Sequence, residues 1–383
     1  MARSLPPRPN LDWLKKDARD RLAALRAADP AARLHHAQLA IAREYGFASW
    51  RKLRAHVEAV AGGVFNPRPV ALDAAAAERI SAAIRADETA QWNALLDAEP
   101  EIIHARLPDG QTALHAAAQQ EATNGVAVLL DRGADANAKY GDSGHTPLSW
   151  AVTCHAFQAA FLLMARGVKP DLFTAAGLGL LDQVKVCFDD AGAIRQGASS
   201  TGSSRFGPGG VRLPCPPKAD VELISDALCF ACRNGHPEVV RFLLRGSPDL
   251  SFRGYLGATA LHWAYYGGSR SALKQLIEAG ADQAARDDAL ECTPRAFGIC
   301  VPANWGFIEL VHARLVEDPS LATFMDGRTS ALHEAARQGH ARIVQLLLKA
   351  GANPAQVDGG GVTALQLASV GGHVEVEELL RAS

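Results

Sequence analysis

Cys229-Phe230-Ala231-Cys232 is a short spacing that suits metal or redox chemistry. Two thiols three residues apart share one face of a helix, but a closed tetrahedral zinc site needs two further ligands at compatible spacing. The nearest other cysteine, Cys215, stands in a Gly-, Ser- and Pro-rich stretch, and a free cysteine also serves as a small buried hydrophobe. Thirteen histidines supply acid–base groups in number, without the spacing of a ligand set. The chain contains no GxxxxGK[ST], no GxGxxG at a strand–helix junction, no HExxH and no GxSxG. The expectation is therefore no catalysis, no metal and no cofactor, with Cys229 and Cys232 as core residues.

The elements that carry these residues recur. Thr112-Ala113-Leu114-His115 is followed 34 residues on by Thr146-Pro147-Leu148-Ser149, and Thr259-Ala260-Leu261-His262 by Thr293-Pro294 at the same interval. Ser330-Ala331-Leu332-His333 precedes Thr363-Ala364-Leu365-Gln366 by 33, and Asp226-Ala227-Leu228-Cys229 precedes Thr259 by 33. Thr caps a helix through its hydroxyl, Pro is tolerated at the first helical position, and Leu332, Ala335 and Ala336 give a short helix with a small-residue face. Ile343, Val344, Leu346 and Leu347 make a second, amphipathic helix, closed by Gly351. Gly133, Gly167, Gly246 and Gly280 hold that closing position in other copies, and Asp109-Gly110 and Asp358-Gly359 read as β-turns before the next Thr. One such unit cannot bury its own apolar face, so several must stack.

The T-P-L-H-x-A signature at a period near 33 resembles the ankyrin repeat family over roughly residues 77–383. The resemblance implies an all-α solenoid of about eight or nine helix–turn–helix units with β-turn fingers. It also implies structural roles for Thr112, Thr146, Thr259, Thr293 and Thr363, and for His115, His262 and His333, whose motif position hydrogen-bonds within and between fingers. His236, His340 and His373 fall at turns between helices. A short copy covers about 171–188, with Leu172, Ala175, Ala176 and Gly179 set against Leu332, Ala335, Ala336 and Gly339. Residues 189–220 form an insertion read as a mobile loop. In the unit at Thr293, Arg295 replaces the Leu and Val301-Pro302-Ala303-Asn304 lengthens or breaks the first helix.

In such stacks the residue after the motif His faces a concave binding surface, as the resemblance implies. That column reads Ala116, Trp150, Thr174, Phe230, Trp263, Phe297 and Glu334, with Tyr266 one turn beyond Trp263 and Tyr140 and Tyr255 in neighbouring fingers. Aromatic side chains bury much area at little entropic cost and dominate interfaces. The aromatic column is therefore expected to anchor a protein partner, or else to pack on the next helix.

Residues 1–62 hold twelve Lys/Arg against six Asp/Glu, and the rest of the chain 27 against 35, so a basic head precedes an acidic body. We expect the head to be a helical unit of about Leu11–Ala28, Leu34–Tyr45 and a third helix from Ser49, with Leu14, Leu39, Trp50 and Leu53 as its core, capping the first repeat. A linker spans 63–76. The stretch Ala42 to Trp50, with Leu53 and His56-Val57, resembles a segment found ahead of bacterial ankyrin repeats. The alternative is a nucleic-acid regulator using Arg51, Lys52 and Arg54 on phosphates. Net charge of −2 excludes a wholly polyanion-coated protein, and no run of about 18 apolar residues predicts a membrane span. Seven cysteines without framework spacing suit reduced thiols, hence a cytoplasmic protein, and we expect a monomer.

Overall fold

A computed structural model describes residues 14, 18, 21–23, 25–26, 33–44, 49–50, 53, 72–140, 144–198 and 220–383. Near the N-terminus, helix α1 (Leu34–Glu44) buries Ala37, Ile41 and Ala42. Ile41 and Ala42 share a small core with Leu14, Ala18 and Leu53, against which Trp50 packs. Leu39 is only half-buried. At 100° per residue it lies some 200° around the helix from Ile41, so Ile41 takes the core place expected of Leu39. Arg51, Lys52 and Arg54 lie outside the described residues.

From residue 74 the described chain is built of nine helix pairs. The first helices are α2 (Ala74–Ala86), α4 (Ala113–Gln119), α6 (Pro147–Thr153), α8 (Leu172–Gly177), α10 (Asp220–Arg233), α12 (Ala260–Gly267), α14 (Pro294–Trp305), α16 (Ala331–Arg337) and α18 (Ala364–Gly371). Their partners are α3 (Thr89–Ala98), α5 (Thr123–Asp131), α7 (Phe157–Ala165), α9 (Leu181–Val186), α11 (Pro237–Leu244), α13 (Arg270–Glu278), α15 (Ile308–Glu317), α17 (Ala341–Lys349) and α19 (Val374–Arg381). Each first helix packs on the next first helix and on its own partner, which makes an all-α solenoid of two helical layers. Short bridges, Tyr140 with His145 and Val357 with Thr363, close the fingers between units. The linker expected over 63–76 ends sooner, because Asp73 caps α2 by accepting the Ala76 N–H at 2.7 Å.

The caps follow the motif. Thr112 Oγ1 accepts the His115 N–H, and the imidazole reaches back to the Thr112 N–H and hydroxyl. The same exchange joins Thr146 to Ser149 and Thr363 to Gln366. Thr293 departs from it: Ala296 stands where the polar partner should be, and the Thr293 N–H donates instead to Asp326 Oδ2 at 2.6 Å. Gly133, Gly167, Gly280 and Gly351 turn the chain in the left-handed region, but after α11 it is Ser247 that does so. Gly246 there lies against Ile224, within 3.1 Å of where a Cβ would stand.

Three units differ in length, and the differences shape the surface. In α8 the N-cap is Asp171 and Thr174 closes the capping box, so Thr174 holds the place of the motif His and the helix is one residue short. The cap thus falls one place later than at Ser330–His333, whereas Gly179 keeps the left-handed place of Gly339. α14 runs unbroken through Pro302 for 12 residues, one turn longer than its neighbours. α10 begins at Asp220 and spans 14 residues. The insertion expected to be mobile over 189–220 is structured at both described ends. Asp189 Oδ1 accepts the Ala191 and Ala193 N–H groups, Phe188 bridges to Ile194, and Ala198 accepts the Leu172 N–H. Residues 199–219 lie outside the described ones. The buried core divides into one cluster from Leu72 to Leu178 and a larger one from Leu172 to Leu380, which meet at α8.

Candidate functional site

The motif histidines are fully occupied. His115 donates from Nε2 to the His145 carbonyl at 3.0 Å, His262 to that of Cys292 at 3.1 Å, and His333 to that of Gln356 at 3.0 Å. A carbonyl only accepts, so Nε2 carries the proton and Nδ1 accepts from the capping hydroxyl, at 2.7 Å in His115 and 2.8 Å in His262. Burial pushes His115 and His262 down to about 4, so both are neutral at pH 7. His236, His340 and His373 each donate to a carbonyl of the preceding unit, those of Gly177, Asn304 and Arg337. Cys229 and Cys232 are buried in α10, where burial pushes both thiols up.

The aromatic column packs largely inward. Phe230, Trp263, Phe297, Thr174 and Glu334 are all buried, Phe297 completely. Small residues bring successive first helices so close that each column side chain packs on its neighbour. Phe230 lies 4.0 Å from Phe173, and Trp263 lies edge-on to Phe297 at 5.2 Å. Phe297, also edge-on to His262, supports the surface from behind and offers no face of its own. Tyr266 is buried as well, Tyr140 and Trp150 are half-buried, and Tyr255 is 42% exposed.

What the stack opens instead is a cavity of about 500 Å³. Trp150, Phe230, Tyr255 and Trp263 line it, joined by Trp305 and Phe307, which the column reading missed. Its polar wall comes from the ends of α4, α6 and α10, with Gln119, Thr153, Cys154, His155 and Arg233, and from Asp226 in the middle of α10. α8, one residue short and ending in Gly177, contributes none of them, so the floor dips between α6 and α10. The extra turn of α14 raises Trp305 as the opposite wall, 6.0 Å from Tyr266 and 5.7 Å from Phe307. Tyr255 stacks on Trp263, the rings 6.4 Å apart and 13° from parallel. Trp150 donates its indole N–H to Gln119 Oε1 at 3.0 Å, which fixes the far edge.

Arg233 is the unusual member. Only 9% of it is exposed, and its guanidinium lies 5.2 Å from the Trp263 ring, 5.7 Å from Phe230 and 5.8 Å from Tyr266. Its Nε is buried without an acceptor, and no carboxylate among the described residues is within ion-pair distance of it. Arginine cannot shed its proton in a protein, so burial pushes its affinity for that proton down while the charge stays, eased by the phenol oxygen of Tyr266 beside it. Ring contacts return about 0.5–2 kcal/mol, against a desolvation penalty of several kcal/mol for a buried ion. His155, in a left-handed conformation at φ 60°, stands near the guanidinium with Nε2 buried and unpartnered. Burial, and then the Arg233 charge, push it down to about 4, so it is neutral.

Stacked helix pairs with hydrogen-bonded His caps and bridged fingers define a repeat solenoid, a scaffold that presents one long face. The family described as ankyrin repeats (three copies) matches residues 80–174, 213–287 and 300–383, and the chain belongs to the ankyrin repeat family. Ankyrin repeats mark a protein–protein interaction module. Among curated relatives, the probable E3 ubiquitin-protein ligase XBOS33 of Oryza sativa subsp. japonica is 34% identical over 140 residues, 34% of this chain and 26% of that protein. The B-cell lymphoma 3 protein homolog of Mus musculus is 31% identical over 131 residues, 33% of this chain and 28% of that protein. The palmitoyltransferase AKR1 of Lachancea kluyveri is 35% identical over 164 residues, 41% of this chain and 21% of that protein. The aligned part thus spans about a quarter of the length of these relatives. Among the described residues, no helix is long and apolar enough to cross a membrane.

Proposed function

We propose that this chain is a non-enzymatic adaptor or regulator that works as a monomer in a reducing cytoplasm and holds a partner protein on the face carried by its first helices. The observation that supports this reading most is the aromatic cavity on an interaction-module fold, with exposed rings at its rim: Tyr255 at 42% and Phe307 at 48%. Rigid rings beside a desolvated pocket are the composition of interface hot spots. The polar rim, Gln119, Gln120 and Thr153, would then set specificity. Residues 1–62 form a separate helical unit in this reading, joined to the stack by a linker. Six free cysteines among the described residues suit a reducing compartment.

The test replaces exposed rings only. Affinity capture from native lysate, quantified by mass spectrometry, compares the full chain with a Tyr255→Ala, Phe307→Ala double variant of equal thermal stability. Partners enriched on the parent and lost from the variant are expected. Identical recovery on both would move the partner surface elsewhere.

A further inference from the structure

The geometry points to Arg233 as the anchor of a carboxylate-binding pocket, one that takes a monoanion carried beside a flat apolar group. The stack contains its own control. Arg337 holds the same place in α16, two residues before the left-handed Gly339, as Arg233 does before Gly235. There the side chain is 45% exposed and faces two carboxylates, Glu334 at 3.6 Å and Asp358 at 3.8 Å. At Arg233 the column position holds Phe230 in place of Glu334, and the cation lies among Phe230, Trp263 and Tyr266 with no carboxylate of the described residues at ion-pair distance. The same residue type at the same register thus stands in the wall of a cavity, without the two carboxylates that meet Arg337.

The ligand's chemistry follows from the lining. A guanidinium fork matches a carboxylate in plane and supplies parallel donors. The remaining walls, Trp150, Trp263, Trp305 and Phe307, are faces and edges of rings, which select a flat apolar neighbour to that carboxylate. Among the described residues, one arginine and one carboxylate, Arg233 and Asp226, line the cavity. Asp226 lies two turns before Arg233 on α10, about 10 Å along the axis, and His155 is neutral. A phosphate dianion would meet too few donors and an added negative charge, so a monoanion is the fit. About 500 Å³ suits a drug-sized molecule or one to two side chains of a peptide.

Calorimetric titration of the full chain tests this with defined probes. 3-Phenylpropionate is compared with 3-phenylpropionamide, which has the same shape without the charge. The acid should bind about tenfold or more tightly than the amide, and Arg233→Gln should remove that preference. Two peptides identify the source of the carboxylate: one ends in Phe with a free terminus, the other is amidated and carries internal Glu-Phe. Arg233-dependent binding of either assigns a partner's chain end or side chain, and binding of the small acid alone assigns a free metabolite. Tyr255→Glu at the rim guards against an unfolded Arg233 variant, because it places a competing carboxylate beside the cavity from a side chain that is 42% exposed. It should lower the affinity for the acid about tenfold more than that for the amide, since loss of the Tyr255 ring acts on both alike. Equal affinity for acid and amide, no binding of any probe, or preference surviving both variants overturns the site. Partner capture does not depend on Arg233 in the adaptor reading, so the two proposals fail separately.

Discussion

The His262 imidazole joins two units with one ring. It accepts from the Thr259 N–H at 3.2 Å and bonds the Cys292 carbonyl 30 residues on at 3.1 Å, all of it buried. His262→Ala strands a buried donor and a buried acceptor, at about 1–3 kcal/mol each. A drop in urea-unfolding free energy of about 2–6 kcal/mol is expected; a drop below about 1 kcal/mol would mean that water replaces the ring. This histidine was legible because its register in the repeat fixes its neighbours. Arg233 was not, since the same residue type at the same register is a solvated, paired side chain at Arg337. The signal was in the partners: Phe230 stands in the place of Glu334 and Gly254 in that of Asp358, the two carboxylates that meet Arg337.

At the scale of helices, spacing and caps were readable from sequence, and the number of pairs followed from the period. Side-chain exposure along the column was not, because it depends on how closely successive helices approach. That approach is set by glycines such as Gly267, where an added Cβ would stand 2.4 Å from the Cys232 carbonyl oxygen and 2.6 Å from that of Arg233. Backbone atoms cannot swing aside, so α12 must move from α10. Gly267→Ala is therefore expected to cost about 2–4 kcal/mol, although alanine is the better helix former by about 1 kcal/mol. A variant as stable as the parent would show that α10 and α12 separate freely. Length changes also escaped a periodicity reading in part: a residue fewer in α8 and a turn more in α14 leave the signature intact while deciding where the cavity opens.

Across the whole molecule, the same buried imidazoles make the stack sensitive to acid. His115, His155 and His262 are held at about 4 by burial, against 6.5 when exposed. His236 and His333 are lowered as well. A lowered folded pKa means that the fold refuses protons which the unfolded chain accepts. Above pH 6.5 neither state is protonated and stability is complete; as pH falls from 6.5 towards 4, the unfolded state gains, by roughly 1.4 kcal/mol per pH unit for each histidine. Three groups together set a slope of at most about 4 kcal/mol per pH unit. Asp287, pushed up from 3.8 by burial, acts in the opposite direction near the acid end of this window, whereas Asp318 and Asp358, held low, weaken the fold only below it. The groups lie beside both core clusters, His115 on α4 next to the first, His262 on α12 next to the second and His155 between them, so both must feel the change. Urea midpoints should fall from pH 7 to pH 5. In native-state hydrogen exchange, protection should weaken in α4–α7 and in α12–α14 alike. His262→Gln should flatten the response of the second cluster alone. A midpoint independent of pH over this range would mean that these rings gain water or partners when protonated, and would remove the reason for their low proton affinity.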